Sequence, residues 1–418
     1  MIKIALVNAD NGNGGASRAT RRLAKGITSI GEKSNFEVTF ICEGKPEVGY
    51  KLKKPIYKWF IKYLYKYDFL IYLLKKLLNK IWHICNIKRG FEKVYFFREG
   101  YSLDNFKTFK EYDLIHIFWG QKFISTSAIS DLNIPVIVTL HDMWFITGGF
   151  VYTKNPEKDK KNLLTCIGKK NYENQFNSKK NLFKQNNTSL VVTSDWMANK
   201  VKESNIYNKE IKKIDNFIPS NYKYLNLKFE CRELLGWDKK LINKKIIYFS
   251  GSTTYKRKGF DFLLKSLEGL DPQIKSLFAI QILGNKENKI PKLEKFGISY
   301  YCLGYFSDEV SQVIAYNAAD ILICPSNFDN SPNIIAESQM CGLPVITLNG
   351  SGSSEMIQDK LTGIIASHED HIDLQMKIKD FLLENIQFNN LYIEDWANKK
   401  FGIEKTCKKY IDFYKSLI

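Results

Sequence analysis

No two of the eight cysteines (42, 85, 166, 231, 302, 324, 341 and 407) form a C-x-x-C pair, and none of the five histidines stands at zinc-ligand spacing. Neither a disulfide framework nor a structural zinc is therefore expected. The thiols read as reduced and mostly buried, in a cytosolic compartment. Long apolar runs are missing as well. The longest in the basic zone, FLIYLL from Phe69 to Leu74, is far short of the roughly 20 residues that span a bilayer. The opening MIKIALVNAD enters a strand directly, with neither the charged leader nor the apolar core of a signal peptide. Acidic residues are few: 44 Asp and Glu against 62 Lys and Arg, a net charge of +18. Such an excess suits an anionic partner, whether nucleic acid, anionic lipid or a phosphorylated small molecule. An A/T-rich genome would also produce part of the Lys, Asn and Ile excess. Nothing reads as a helix-turn-helix, RRM or zinc module, so nucleic acid is not expected as a partner.

What is present is ample core material. The chain is 44% apolar and 14% aromatic over 418 residues, which is globular and too long for one ordinary core, so two domains are expected. IKIALVN (Ile2 to Asn8) is an apolar run of strand length, followed by a Gly-rich turn and the helical pattern RATRRLAKGI. Strand, Gly-rich loop and helix together open a parallel α/β sheet. The unit recurs in DLIHIFW (113–119), PVIVTLHD (135–142) and SLVVTSDW (189–196). Pro and Asn interrupt the periodicity in IKKIDNFIPSNYKYLN (211–226), and the pattern restarts with KKIIYFSGS (244–252), FAIQILGN, YYCLGYF, ADILICPS and PVITLNGSGSSE. Two βα arrays joined by a linker predict two doubly wound domains facing each other, with ligands outside the carboxyl ends of the strands.

One stretch departs from the alternation. From Lys51 to Lys80 there are nine Lys and one Asp, with Lys58, Lys62 and Lys66 four residues apart beside Trp59, Tyr63, Phe69, Leu70, Leu73 and Leu74. On a helix this makes a cationic stripe next to an apolar one. It fits a helix lying on an anionic membrane surface, or a helix packed on the first domain with a solvated basic face. The one-sided charge favours the membrane.

The stretch DNSPNIIAESQMCGLPV (Asp329 to Val345) carries the chemistry. ADILICPS before it reads as a strand, and SPNIIAESQMCG as a helix with Ser331 as N-cap and Pro332 at the first helical position. The amides of Asn333, Ile334 and Ile335 would then form an anion site suited to a diphosphate. Glu337, about a turn further in, offers two oxygens that can accept both hydroxyls of a ribose, as an acidic residue does in dinucleotide sites. Asp329 can accept hydroxyls of whatever lies beyond the phosphates. The pair reads either as acid and base or as the two ends of a clamp on a nucleotide sugar.

At this point a resemblance appears. D-x7-E followed by SQMCGLPVI and GSGSSEMI resembles the E-x7-E signature of the retaining glycosyltransferases of family 4, which have the GT-B fold; here the first acid is Asp329 instead of Glu. NGNGGASRATRRLAKGI (11–27) is similar to the family's Gly-Gly-Ala loop, TLHDMWFITGG (139–149) to its His-Asp-Met-Trp segment, and YKRKGFDFLLKSL (255–267) to its Lys-Gly phosphate segment. LGYFSDEV and AADILICPS stand where the family carries base-contacting residues. The members most similar build capsular, exopolysaccharide or lipopolysaccharide chains. The family's Arg, several positions before Arg257, is replaced by Ser252 or its neighbours, so Arg257 is expected to substitute for it. A Cys cluster common after the Trp-x-x-Thr-Gly-Gly stretch is reduced to Cys166, and Asp215–Pro219 replaces a commoner Pro-Asn-Gly hinge turn.

The resemblance implies an α/β GT-B fold, two Rossmann-like domains around an inter-domain cleft. Residues 1–215 would form the acceptor side, including the basic segment 51–82, residues 216–395 the nucleotide-sugar side, and 396–418 a helix crossing back to the first domain. It implies His141, Asp329 and Glu337 as catalytic residues. Donor contacts would come from Gly14, Gly15, Arg257, Lys258, Tyr305, Phe306, Ser331, Asn333, Ile334, Ile335 and Glu337, and acceptor contacts from Gly15, Asp142 and Trp144. The backbone of Gly350 to Ser353 and Glu355 would lie in the donor loop. No metal and no cofactor are implied beyond a nucleotide-diphosphate sugar of UDP or GDP type. The acceptor would be a glycan or a lipid-linked oligosaccharide. The enzyme would be cytoplasmic and peripheral on the inner face of the membrane. His116, inside a buried strand, reads as a core residue; His83, His368 and His371 have no partner pattern. A nucleotide-sugar epimerase, a non-catalytic assembly subunit and a glycosidase are the competing readings.

Overall fold

The computed structural model of the chain describes residues 1–10, 14–31, 35–43, 77, 109, 111–120, 126, 129, 132–163, 166–284, 290–306 and 308–418. The basic segment 51–82 lies outside the described residues except for Leu77, and so does His83. Among the described residues no helix is long and apolar enough to cross a membrane. The chain divides into two units: residues 1–214 with 406–418, and residues 215–405.

Unit one is built on a six-stranded parallel sheet. Its strands are β1 (Ile2–Asp10), β2 (Phe36–Glu43), β3 (Leu114–Trp119), β4 (Val136–Leu140), β5 (Thr188–Val192) and β6 (Ile211–Lys213), in the order β2-β1-β3-β4-β5-β6. Every residue of β4 is buried, and so is all of β3 but Trp119. This is why both appear as unbroken apolar runs: a parallel strand covered on both faces has no polar side to alternate with. His116 of β3 lies in this core, with Nδ1 2.7 Å from the Tyr414 hydroxyl and Nε2 2.7 Å from Thr139 Oγ1. Burial and then His141 push its pKa well below the ordinary histidine value. Two side-chain partners at hydrogen-bond distance make it a satisfied core residue.

Unit two holds a second six-stranded parallel sheet: β7 (Lys245–Ser250), β8 (Phe278–Leu283), β9 (Ser299–Gly304), β10 (Ile321–Cys324), β11 (Val345–Leu348) and β12 (Gly363–Ala366). The order is β12-β11-β10-β7-β8-β9. The chain runs outward from β7 through β8 to β9, then returns to β10 on the other side of β7. The loops after β7 and β10 therefore part in opposite directions, which makes a topological switch point and the place where such sheets bind ligands.

Several boundaries differ from the sequence reading. SLVVTSDW does not stay extended to Trp196: Ser194 accepts the Met197 N–H at 3.0 Å and starts a helix at Asp195. The terminal stretch is two helices, Asn390–Phe401 and Ile403–Lys415, because Gly402 takes an extended backbone (ψ 138°) and bridges to Ile218. Residues 396–405 belong to unit two and 406–418 to unit one.

Unit two is tied together by a buried ion cluster. Arg232, 2% exposed, donates through Nη2 to Asp320 Oδ2 at 2.6 Å, while Lys228 Nζ reaches Asp320 Oδ1 at 2.6 Å. Asp320 also accepts the Ile246 N–H of β7 at 2.6 Å. Arg232→Met would leave a buried carboxylate with only part of its compensation, and is expected to cost about 3–5 kcal/mol, read from urea unfolding.

Candidate functional site

The switch point of unit two is built from short turns. After β7 the chain passes Gly251 to Tyr255 and makes a one-turn 3-10 helix at Lys256–Lys258. Gly259, at φ 75°, then swings it into the helix Phe260–Glu268. A Cβ on Gly259 would sit 1.9 Å from the Pro325 carbonyl oxygen. That close approach lays the basic turn against the loop after β10, where Asp329 waits. Arg257 Nη1 donates to Asp329 Oδ2 at 2.9 Å and to the Phe328 carbonyl at 3.0 Å, and Lys258 Nζ donates to the same Oδ2 at 2.8 Å. Asp329 Oδ1 accepts the Asn330 N–H at 3.1 Å, and the Asp329 carbonyl accepts the Gly352 N–H at 3.0 Å. Burial alone would raise the Asp329 carboxyl, but Lys258 and then Arg257 outweigh it and hold the pKa down at about 2. It is therefore ionised at any working pH.

The helix after Asp329 runs Asn333–Met340. Its N-cap is Pro332, extended at ψ 120°, and not Ser331, whose hydroxyl turns to the Met356 sulfur at 3.6 Å. A proline whose ψ is extended stands outside the helix, so the start moves one residue along. Asn216 from the linker fixes this start, with Nδ2 donating to the Ser331 carbonyl (2.9 Å) and to Asn333 Oδ1 (3.1 Å). The Ile335 N–H is already taken by the Pro332 carbonyl at 3.0 Å. Of the expected trio, the Ile335 amide is therefore not available to an anion.

Glu337 is buried in the same helix, and its Oε2 accepts from the Tyr316 hydroxyl at 2.8 Å. Tyr316 is packed against Tyr222 and Tyr248, and burial followed by Glu337 pushes its pKa well up. Tyr305 and Phe306 follow β9, two strands from β7; Tyr305 is 63% exposed and Phe306 half-buried. Ser252, where the resembled family has Arg, shares a 2.9 Å hydrogen bond with the Thr254 hydroxyl and accepts the Thr254 N–H at 3.3 Å. In the loop after β11, Gly350 stands at φ 82°. The Glu355 carbonyl there accepts from Lys400 Nζ at 2.5 Å.

In unit one, His141 is the first residue past β4. Its ring stacks on Phe118 at 5.7 Å, and Nε2 is buried with no hydrogen-bond partner among the described residues. Burial lowers its pKa to about 4. The unfolded chain titrates near 6.5, so the neutral ring's contribution to stability is complete above that pH. It declines as the pH falls and is gone below about 4. At pH 5 the wild type should therefore have lost about 1–2 kcal/mol more, relative to pH 7.5, than His141→Gln. Equilibrium unfolding at both pH values checks this.

Asp142 caps the next turn, its Oδ1 accepting the Trp144 N–H at 2.8 Å. Trp144 is 6% exposed and lies in the core of unit one, so as an acceptor contact it is misplaced. Lys179, a residue the sequence reading missed, packs on it. Buried in the helix Cys166–Lys184, its Nζ lies 3.7 Å over the Trp144 ring and donates to the Trp144 and Thr147 carbonyls at 2.6 and 2.9 Å. Burial pushes its pKa well down. Gly148 meets the same helix: a Cβ there would be 2.2 Å from the Tyr172 carbonyl oxygen. A lysine inside a helical pattern carries no mark of this role. Gly14 and Gly15 are exposed at the start of the helix Gly15–Gly31, where the Arg18 N–H bonds the Gly14 carbonyl at 3.0 Å. Among the described residues no group of three or more His, Cys, Asp or Glu side chains is placed to hold a metal ion.

Comparison with known proteins bears on the family and the fold. Residues 244–384 match the family model Glycosyl transferases group 1, which places a domain of that family in unit two. An uncharacterized 41.2 kDa protein from the cps region of Klebsiella pneumoniae is 30% identical over 166 residues, 38% of this chain and 44% of that one. The chain spans about half the length of the curated relatives it matches. Among solved structures, sucrose-phosphate synthase of Thermosynechococcus elongatus superimposes with a TM-score of 0.67 at 14% identity, covering 100% of this chain and 99% of that one. The Anabaena protein HepE, solved with UDP and glucose, gives 0.65 at 15% identity with 100% of both chains covered. These likenesses establish the two-sheet GT-B fold expected from the sequence.

Proposed function

We propose that this chain, with its group 1 glycosyl transferase domain, transfers a sugar from a nucleotide-diphosphate donor to a glycan or lipid-linked saccharide, with retention of configuration. The observation that carries the proposal is the convergence of Arg257 and Lys258 on Asp329 at the β7/β10 switch point, beside the start of the helix Asn333–Met340. Two cations and a helix start suit a diphosphate whose charge grows as the sugar leaves. They supply that stabilisation from protein groups, so no metal is required of the mechanism. HepE, solved with UDP and glucose, supports a UDP-type donor. The relative from a cps region supports a place in surface-polysaccharide synthesis, at the inner face of the cytoplasmic membrane.

In the transfer the bond from C1 to the phosphate oxygen breaks, and the acceptor oxygen bonds to C1 from the same face. The acceptor proton passes to the departing phosphate. Arg257 and Lys258 hold that phosphate, Glu337 with its Tyr316 partner is assigned to the ribose, and Tyr305 and Phe306 to the base. His141, neutral at pH 7, serves the acceptor side as a hydrogen-bonding group and not as a cation. Asp329, held at about 2, is excluded as the protonated acid of a glycosidase pair.

Incubation with a panel of α-linked nucleotide sugars, using water as a slow acceptor and following the product by proton NMR, tests the proposal. Retention requires the α-anomer first. Early β-anomer would rule out a retaining transferase, and no turnover of any donor would rule out the enzyme.

A further inference from the structure

Asp329 is the less exposed partner of its cluster. Its side chain is 9% exposed, against 16% for Arg257 and 24% for Lys258, so the carboxylate lies beneath and the cations lie toward solvent. It already accepts from Arg257, Lys258 and the Asn330 N–H, three of roughly four acceptor positions on a carboxylate. Little capacity remains for the sugar hydroxyls that the sequence reading assigned to it. Its geometry fits another task.

We infer that Asp329 is the resident counter-anion of the diphosphate subsite. It acts through Arg257 and Lys258, fixing both from below and cancelling one of their two charges, so a nucleoside diphosphate is held less tightly than the bare pair would hold it. This rests on the proposed function and adds a property to it: the site is tuned to release the spent nucleotide. A carboxylate about 5 Å from an incoming phosphate repels it, at an effective dielectric near 20, strongly enough to change affinity more than tenfold. The same charge keeps the two cations together when the site is empty, and removing it trades that order for a stronger field.

The test is calorimetric titration of UDP, GDP and ADP, and of the sugar conjugates of whichever binds, into the full chain, in metal-free buffer at low and at high salt. Wild type is compared with Asp329→Asn, and with Asp329→Ser in case the amide disturbs folding; melting curves confirm the folded state. The inference predicts that the nucleotide that binds wild type binds an uncharged variant at least ~10-fold more tightly. Salt should shrink that difference, because screening removes a charge effect. If nucleoside diphosphate affinity is unchanged and only the nucleotide sugar binds more weakly, Asp329 is a sugar ligand and the inference is wrong. If both bind more weakly, it is a scaffold and the inference is equally wrong. A folded wild type that binds no nucleotide overturns the proposed function itself, and this inference with it.

Discussion

Lys258→Met should lower the rate of sugar transfer by about 100- to 1000-fold while leaving the protein folded. That is the usual loss when one preorganised charge is withdrawn from a developing anion. Lys258 Nζ stands 2.8 Å from Asp329 Oδ2, on a one-turn helix that the Gly259 turn and the Arg257 contacts also hold to the β10 loop. Methionine keeps the stem and removes the charge. Asp329 retains Arg257 and the Asn330 amide, so the stability cost is that of one charge-assisted hydrogen bond, about 1.5–3 kcal/mol. The loss should fall mainly on kcat, because the charge matters most as the phosphate departs. A loss confined to donor KM would instead mean that Lys258 only binds the ground state.

Gly259→Ala is expected to cost stability on the order of 3–5 kcal/mol. Two independent penalties coincide. The residue stands at φ 75°, a conformation costly to any side chain, and the added Cβ would lie 1.9 Å from the Pro325 carbonyl oxygen. A backbone oxygen cannot rotate away as a flexible side chain can, so the turn and the β10 loop must separate. Urea denaturation measures the cost. Nucleotide affinity should fall in parallel, because the separation moves Arg257 and Lys258 away from the start of the helix Asn333–Met340, with which they form the diphosphate subsite. Gly297→Ala serves as a control: it too has positive φ, at 69°, but nothing lies within 4 Å of its added Cβ. It should cost only about 1–2 kcal/mol.

Both predictions concern contacts that the sequence hid. The strands were legible because parallel sheets bury both faces, so IIYFS and VIVTL stand out as apolar runs wherever they occur. Pro332 and the hydrophobic run behind it marked a helix, but a proline is compatible with both the first helical position and the cap. Only its ψ of 120° decides for the cap. Arg257, Lys258 and Asp329 could each be picked out. Their mutual pairing could not, since it joins residues 71 and 72 positions apart through a turn whose shape depends on Gly259. Trp144 misled for a related reason: an aromatic beside a His-Asp pair reads as a ligand contact until Lys179, 35 residues on, is found bonded to its carbonyl. Gly402 ended a helix that the resemblance carried through 396–418, because its extended backbone serves a bridge to Ile218.

The central claim is that the β7/β10 switch point of unit two binds a nucleoside diphosphate. A thermal-shift titration of wild type and Lys258→Met with UDP, GDP and ADP tests it most directly. A nucleotide at about 100 times its dissociation constant should stabilise the native state by roughly 2.7 kcal/mol, a plain rise in Tm. The prediction is that one of the three raises the wild-type Tm and that Lys258→Met, folded, loses most of the rise. A folded wild type indifferent to all three, or a variant that responds as fully as wild type, would contradict the site described.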